Sequence, residues 1–381
     1  MNNRPVRLDV YRTAIPMRSF QHAAASRELA EAVVARVEFA DGQIGWGETL
    51  PRSYVTGETA DSVVSDLGRN LWPRLLDWAS LRRSGALAEL EAAIPVTDSA
   101  GRPMPAAACA LELACLWAMT GLSDDPRTRN PIASRVSGVL GSADPAATSG
   151  RLRLMRLFGL RDYKLKLGFG EDIDAENLRV IHKQIGRGLR RGKFTLRADV
   201  NGGWDAASTP QRVAALKEFN VCLVEQPVYC SAAELASLAD RCDLPLMADE
   251  SLLLRADAEA LLEQPKRLWW NIRLSKNGGF ARSMELAMLA HENGVPFVIG
   301  CMVGESGILS AAQRRLLQFI PQPRFVEGNY GRLLLADDLT RPSLRMTYGG
   351  RLKPLADRGP GVTVDEHKLA RYGRVVSTLQ A

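Results

Sequence analysis

Ionisable residues recur at the ends of successive apolar, β-prone runs in the middle of this chain. Lys166 closes Tyr163-Lys164-Leu165-Lys166, Asp199 closes Phe194-Thr195-Leu196-Arg197-Ala198-Asp199, and Glu225 closes Val221-Cys222-Leu223-Val224-Glu225. Asp249 closes Leu244-Pro245-Leu246-Met247-Ala248-Asp249, and Lys276 follows Leu268-Trp269-Trp270-Asn271-Ile272-Arg273-Leu274. From about Pro131 these runs alternate with helical patterns at βα-unit intervals, which requires a parallel sheet with crossover helices. Eight candidate strands end near Leu140, Leu167, Asp199, Glu225, Asp249, Leu274, Cys301 and Gly328. That number suits a closed TIM-type α/β barrel, whose chemistry sits at the C-terminal ends of its strands.

Helix boundaries agree with this alternation. Ser208-Thr209-Pro210 offers a capping hydroxyl before a first-turn proline, and Ser231 with Glu234 has capping-box spacing. A helix over Phe280 to Asn293 stops at Gly294 before the strand Val295–Ile299. The first 125 or so residues read differently: strands at Arg7–Arg12 and Ala32–Phe39, a turn at Asp41-Gly42 into Ile44–Glu48, then helical patterns including an Ala-rich stretch from Pro105 to Met119. The expected organisation is an α+β capping domain over 1–125, a barrel over 126–342, and a tail over 343–381 that returns to the capping domain.

Three strand-end carboxylates, Asp199, Glu225 and Asp249, would repel one another without a cation. As hard-oxygen donors they suit Mg²⁺, with Mn²⁺ the nearest competitor. Asn201 and Trp204 either shape the ligand loop or are plain turn residues. Lys164 and Lys166, two apart on a strand, share one face. Lys276 precedes Asn277-Gly278-Gly279, a turn with room for an anion. Neighbouring cations and a metal would depress a lysine from its ordinary ~10.4 and let a neutral amine act as base.

Bulk properties narrow the function. The 381 residues are 46% hydrophobic, yet hold no apolar run of membrane-spanning length and begin with no charged-then-apolar leader, so a cytoplasmic location is expected. The six cysteines form no C-x-x-C pair, which argues against a structural zinc. The net charge of +6 is spread over presumed helix faces with no aromatic interleaving, so neither nucleic acid nor membrane is an expected partner. The expected partners are a small carboxylate substrate and further copies of the chain in a homo-oligomer.

Taken together, Lys164-Leu165-Lys166, Arg197-Ala198-Asp199-Val200-Asn201-Gly202-Gly203-Trp204, Glu225-Gln226-Pro227, Asp249-Glu250-Ser251 and Asn271-Ile272-Arg273-Leu274-Ser275-Lys276-Asn277-Gly278-Gly279 resemble the enolase superfamily, in its muconate lactonizing enzyme subgroup. The resemblance covers nearly the whole chain and implies a (β/α)7β barrel capped by an α+β domain built from both termini. It implies Mg²⁺ on Asp199, Glu225 and Asp249, and Lys166 with Lys276 as an acid/base pair assisted by Lys164. The implied activity is an isomerase, by racemisation, epimerisation or cycloisomerisation, that removes the proton next to a carboxylate through a metal-stabilised enediolate. Syn-dehydration of the o-succinylbenzoate synthase type is the enzymatic alternative, and a non-catalytic metal- and carboxylate-binding barrel is the other. No histidine ends a late strand, which sets aside the mandelate racemase pattern. Candidate substrate contacts are His22 in the Arg18–His22 loop, Arg52 and Tyr54 in a second capping-domain loop, Asn201, Glu305 after the seventh strand, and Glu327 after the eighth. The stretch Phe325–Arg332 lacks the Asp-x-Asp element with which dipeptide epimerases hold an ammonium group.

Overall fold

The computed structural model describes residues 4–22, 25–77, 87–119, 132–263, 267–355 and 359–381. The chain opens with β1 (Pro5–His22), β2 (Ala25–Phe39) and β3 (Ile44–Thr49), paired antiparallel in sequence order. The Asp41-Gly42 turn falls where the sequence places it. The Arg18–His22 segment, expected as a loop, instead continues β1, with a register shift between Pro16 and Phe20; the side chain of His22 lies outside the described residues. Helix α1 (Pro105–Met119) is buried along its whole length, as its alanine-rich sequence allows.

Strands β4 (Gly138–Leu140), β5 (Asp162–Lys166), β6 (Thr195–Asp199), β7 (Val224–Glu225), β8 (Leu246–Ala248), β9 (Leu268–Ile272), β10 (Phe297–Ile299) and β11 (Phe325–Val326) make one parallel sheet in chain order. A parallel bridge from Val136, just before β4, to Val326 in β11 joins its first and last strands. Between them run α2 (Pro145–Leu157), α3 (Glu171–Arg190), α4 (Thr209–Leu216), α5 (Ala232–Ala239), α6 (Arg255–Leu261), α7 (Phe280–Glu292) and α8 (Gly307–Leu316). This is the (β/α)7β order. Every expected strand end lies within two residues of the observed one. The Ser231–Glu234 capping box forms, whereas Ser208 makes no side-chain cap. A final strand, β12 (Gly373–Gln380), pairs antiparallel with β1, so both ends of the chain build the four-stranded cap.

Buried glutamates tie helix starts together. Glu48 of β3 accepts bonds from the N–H groups of Ser306 and Leu309 and from the Ser306 hydroxyl at the start of α8. Glu112 of α1 accepts from Phe280 and Ala281 at the start of α7, at 2.7 and 2.8 Å. Glu58 does the same for Ala106 and Ala107 of α1. Each satisfies amide groups that a helix leaves without internal partners. Burial pushes all three carboxyls up to about 7. At Gly279, φ is +111° and a side chain would collide with the Glu112 carboxylate, so that position admits only glycine.

Candidate active site

Alternation along the strands builds the barrel interior in layers. Lowest is an apolar plug of Leu223, Met247 and Val298, packed against Trp269 and Phe325. One step toward the C-terminal mouth stand Lys164, Arg197, Glu225, Asn271 and Glu327, each buried. A step further along their strands come Lys166, Asp199 and Arg273, and Asp249 stands one step above Met247. Gly300 makes room for this layer, because a Cβ there would strike the Asn271 amide and the Arg273 side chain.

Opposite charges interleave throughout. The Lys164 ammonium lies 2.7 Å from Glu327, 3.1 Å from Glu225 and 3.2 Å from Asp199. Burial works against its charge, but these three carboxylates raise it well above the ordinary lysine value. Arg197 stacks on Phe325 at 4.2 Å and reaches Glu327 at 3.2 Å. Lys166 donates to Asp199 at 3.1 Å and to the Asn201 amide oxygen at 2.6 Å. Asn201, at φ 49°, in turn donates to Glu250. Arg273 donates to Asp249 and, at 3.3 Å, to Glu225. Burial alone would raise every carboxyl here; Lys166, Lys164 and Arg273 overcome it at Asp199, which is held below its ordinary value. Glu225 ends on the other side of that balance, pushed up to about 8 by burial and by Asp199.

A cavity opens above these groups, lined by Lys164, Lys166 and Arg273 with Glu305, Glu327 and Tyr330 among others. Lys276 does not line it. That side chain is fully buried, and its ammonium donates to the main-chain carbonyls of Asp249, Leu252 and Asn271 at 2.6 to 2.9 Å and lies 3.4 Å from Asp249 Oδ1. Burial pulls it down to about 8, although Asp249 pulls the other way. Lys276 thus stands beside the candidate metal ligand Asp249, while Arg273 joins Lys166 on the cavity wall. Position explains this. Trp269, Asn271 and Arg273 are two apart and share the inward face, whereas Lys276 falls in the turn beyond the strand.

The other expected contacts divide. Asn201, Glu305 and Glu327 stand at the cavity or on its lysines. Arg52 and Tyr54 line a separate depression with Arg12, Glu31 and Arg374. Arg52 donates to the Glu31 and Pro51 carbonyls, and reaches the cavity wall at the Val303 carbonyl, 3.5 Å away. Sequence reasoning passed over Arg273, Arg197, Asn271 and Glu250, of which the first three could have been found from the two-residue period of their strands.

Asp199, Glu225 and Asp249 offer hard oxygens from three adjacent strand ends, and Asp249 Oδ1, buried with no close hydrogen bond, draws the Lys276 ammonium to 3.4 Å and suits a cation. Among the described residues no three acidic, histidine or cysteine side chains converge on one point, because Arg273 and Lys164 occupy the space between the carboxylates. The donor chemistry fits a hard divalent ion, with those two cations yielding to it.

Ionic groups gathered at the C-terminal mouth of a plugged parallel barrel define a barrel enzyme. Residues 151–368 match the enolase C-terminal domain-like family, and the chain belongs to it. Its relatives are isomerases of the enolase superfamily. It is 27% identical to the N-succinyl-L-Arg/Lys racemase of Bacillus cereus, covering 80% of this chain and 81% of that one. It is 28% identical to the L-Lys-D/L-Arg epimerase of Methylococcus capsulatus (91% and 94%) and 27% identical to the chloromuconate cycloisomerase of Cupriavidus pinatubonensis (90% and 91%). In fold it resembles the crystal structure of the Bacillus cereus racemase, with a TM-score of 0.83 over 100% of both chains at 24% identity. It likewise resembles the muconate lactonizing enzyme of Pseudomonas fluorescens, at 0.80 over 98% of this chain and 100% of that one, also at 24% identity. Among the described residues no helix is long and apolar enough to cross a membrane.

Proposed function

We propose that this chain is a divalent-metal-assisted isomerase of a small carboxylate, and that its first step is removal of the proton next to that carboxylate by Lys166. The observation that carries this reading is the position of the Lys166 amine on the cavity wall between Asp199 and Asn201, with Lys164 and Arg273 as cations beside it. The racemase, epimerase and cycloisomerase activities of the relatives support the isomerase class. Asp199, Glu225 and Asp249 would hold the metal, and three carboxylates with open positions for water and substrate favour Mg²⁺ over softer ions. When bound, the ion would supply charge neutralisation at the substrate carboxylate.

Lys166 in its neutral form takes the proton, and Asn201 orients the amine. As the C–H electron pair moves toward the carboxylate, negative charge grows beside Lys164 and Arg273 on the cavity wall, whose positive charges stabilise it. A guanidinium keeps its proton at all ordinary pH, so Arg273 serves as a cation and not as a second base. That same fact favours one further reading, syn-dehydration, in which a single lysine suffices. A capping domain over 1–125, a barrel over 126–342, a returning tail over 343–381, a cytoplasmic location and a homo-oligomer accompany the proposal.

The test is turnover of N-acyl and N-succinyl amino acids, dipeptides, muconates and hydroxy acids in D₂O with added Mg²⁺. Solvent deuterium should enter recovered substrate at the carbon next to the carboxylate, and chelation should stop it. A dehydrated product with no deuterium in recovered substrate would establish the second reading instead. No exchange and no product with any compound would remove both.

A further inference from the structure

Six cations meet at the base of the barrel, the end away from the mouth, around a depression of about 610 Å³. Arg135 precedes β4, Arg153 and Arg156 lie on α2, Arg161 precedes β5, Lys193 precedes β6, and Arg351 follows Tyr348-Gly349-Gly350. They stand in pairs. Arg135 and Arg351 are partners in an antiparallel bridge, and Arg153 and Arg156 are three apart on one helix. The Arg161 carbonyl accepts the Thr195 N–H at 3.0 Å, which brings Arg161 alongside the residues that lead into β6. Like charges so close repel. Yet no aspartate or glutamate lines the depression, and among the described residues none of the six side chains makes a hydrogen bond or an ion pair. Asp162, next to Arg161 in the chain, accepts the Thr195 hydroxyl at 2.7 Å, and Lys193 rests over the Phe194 ring at 5.6 Å. An aromatic face completes the wall: Tyr348 packs on Gly159, where a Cβ would strike the ring, and remains 68% exposed.

We infer that this depression is a binding site for a chain of phosphoryl groups, free or carried by a small organic molecule. Charge decides the class. A carboxylate brings one negative charge, whereas a phosphate group brings about −1.5 to −2 near pH 7, so a ligand of two or three phosphates is what six cations call for. Five of the six are arginines, whose planar guanidinium holds phosphate oxygens two at a time. The volume agrees, since sites for small ligands measure ~300–1,000 Å³. Bound there, the anion would tie together the segments that precede β4, β5 and β6 and the segment 348–351. It would sit at the opposite ends of β5 and β6 from Lys166 and Asp199, where a barrel's side chains serve stability and not chemistry, so substrate and anion would not compete.

The experiment uses the full-length protein in calorimetry and thermal melting, without added Mg²⁺, which would complex the probes: inorganic phosphate, inorganic triphosphate and ATP. Triphosphate should bind about tenfold tighter than phosphate or better, through its additional charge-assisted bonds, and should raise the melting temperature with concentration because it binds the folded chain. ATP bound about fivefold tighter than triphosphate, or better, would assign a carrier stacked on Tyr348, and equal affinity would assign the free chain. Arg135→Ala/Arg351→Ala and Arg153→Ala/Arg156→Ala should each weaken triphosphate binding by about tenfold or more. Lys166→Ala at the mouth and Arg69→Ala/Arg74→Ala on the exposed surface of the cap should not. Because the depression variants remove repelling charges, their melting temperature without ligand should equal or exceed that of the wild type. A fall in that temperature, which would make these arginines structural, overturns the assignment. So does triphosphate affinity no better than that for phosphate, or equal weakening by Arg69→Ala/Arg74→Ala. Retention of a DNA duplex or of phosphatidylglycerol vesicles that triphosphate does not displace would overturn it as well.

Discussion

Two sets of buried carboxylates in this protein meet opposite solutions to the same cost. At the barrel mouth Asp199, Glu225, Asp249 and Glu327 are answered by side-chain cations, Lys164, Lys166, Arg197 and Arg273. In the cap, Glu48, Glu58 and Glu112 are answered by main-chain N–H groups at helix starts. A carboxylate out of water needs one answer or the other. The difference lies in what can be exchanged. Helix amides cannot leave, so the cap carboxylates are committed to architecture. Cationic side chains can yield to a metal or turn to a substrate, so the mouth carboxylates stay available for chemistry.

The comparison breaks first at the metal. Asp249→Asn should weaken Mg²⁺ binding by on the order of a hundredfold or more, since even partners of ligands contribute up to that amount, and should leave the melting temperature of the metal-free protein close to wild type. Unchanged affinity in calorimetry would remove Asp249 from the ligand set. Glu112→Ala tests the other side: it strands the Phe280 and Ala281 amides and empties buried volume, so about 2–4 kcal/mol of unfolding free energy should be lost. Loss of less than about 0.5 kcal/mol in urea titration would mean that water replaces the carboxylate and the cap does not depend on it.

Lys276 decides whether a buried lysine near the mouth belongs to chemistry or to architecture. Its ammonium meets three main-chain carbonyls and, at 3.4 Å, the Asp249 carboxylate. Lys276→Met should cost roughly 1–3 kcal/mol of stability by leaving those carbonyls unpaired, yet retain proton exchange once folded. A stable variant with no exchange would restore the two-lysine pairing.

The smallest effect is on pH. The native cap glutamates titrate at about 7 against an ordinary 4.5, so between those values the folded protein binds more protons than the unfolded chain. Their contribution to stability is therefore full below pH 4.5 and lost as pH rises through 7. At the mouth the sign reverses for Asp199 and Glu327, whose depressed values favour the fold above the ordinary carboxylate range and lose that contribution on acidification. Glu48→Gln should flatten the decline between pH 5 and 7.5 in urea midpoints relative to wild type. An unaltered slope would show that Glu48 ionises normally in the fold.

The barrel was legible because each strand carries its own short signal, an apolar run that ends in a charge, and these signals repeat at helix-length spacing. The mouth was legible only in part. Asp199, Glu225, Asp249, Lys164 and Lys166 lie at the ends of their runs, where alternation and chemistry agree. Beyond β9 they disagree: following the lysine leads to Lys276 in a turn, whereas following the period of two from Trp269 and Asn271 leads to Arg273. The glutamate caps gave no local signal, since Glu112 meets Phe280 168 positions later and only the folded barrel brings them together. The strand pairing of residues 18–22 was hidden for a related reason, because polar Arg18-Ser19 and Gln21-His22 follow no alternation that would distinguish a strand from a loop.

Exchange of the α-proton in D₂O by Lys166→Ala, compared with Lys276→Met on the same substrate, tests the central claim most directly. The account predicts that Lys166→Ala loses exchange from the configuration facing Lys166 by about 10²–10⁴-fold while Lys276→Met keeps it. Exchange that survives in Lys166→Ala and vanishes in a folded Lys276→Met would contradict it.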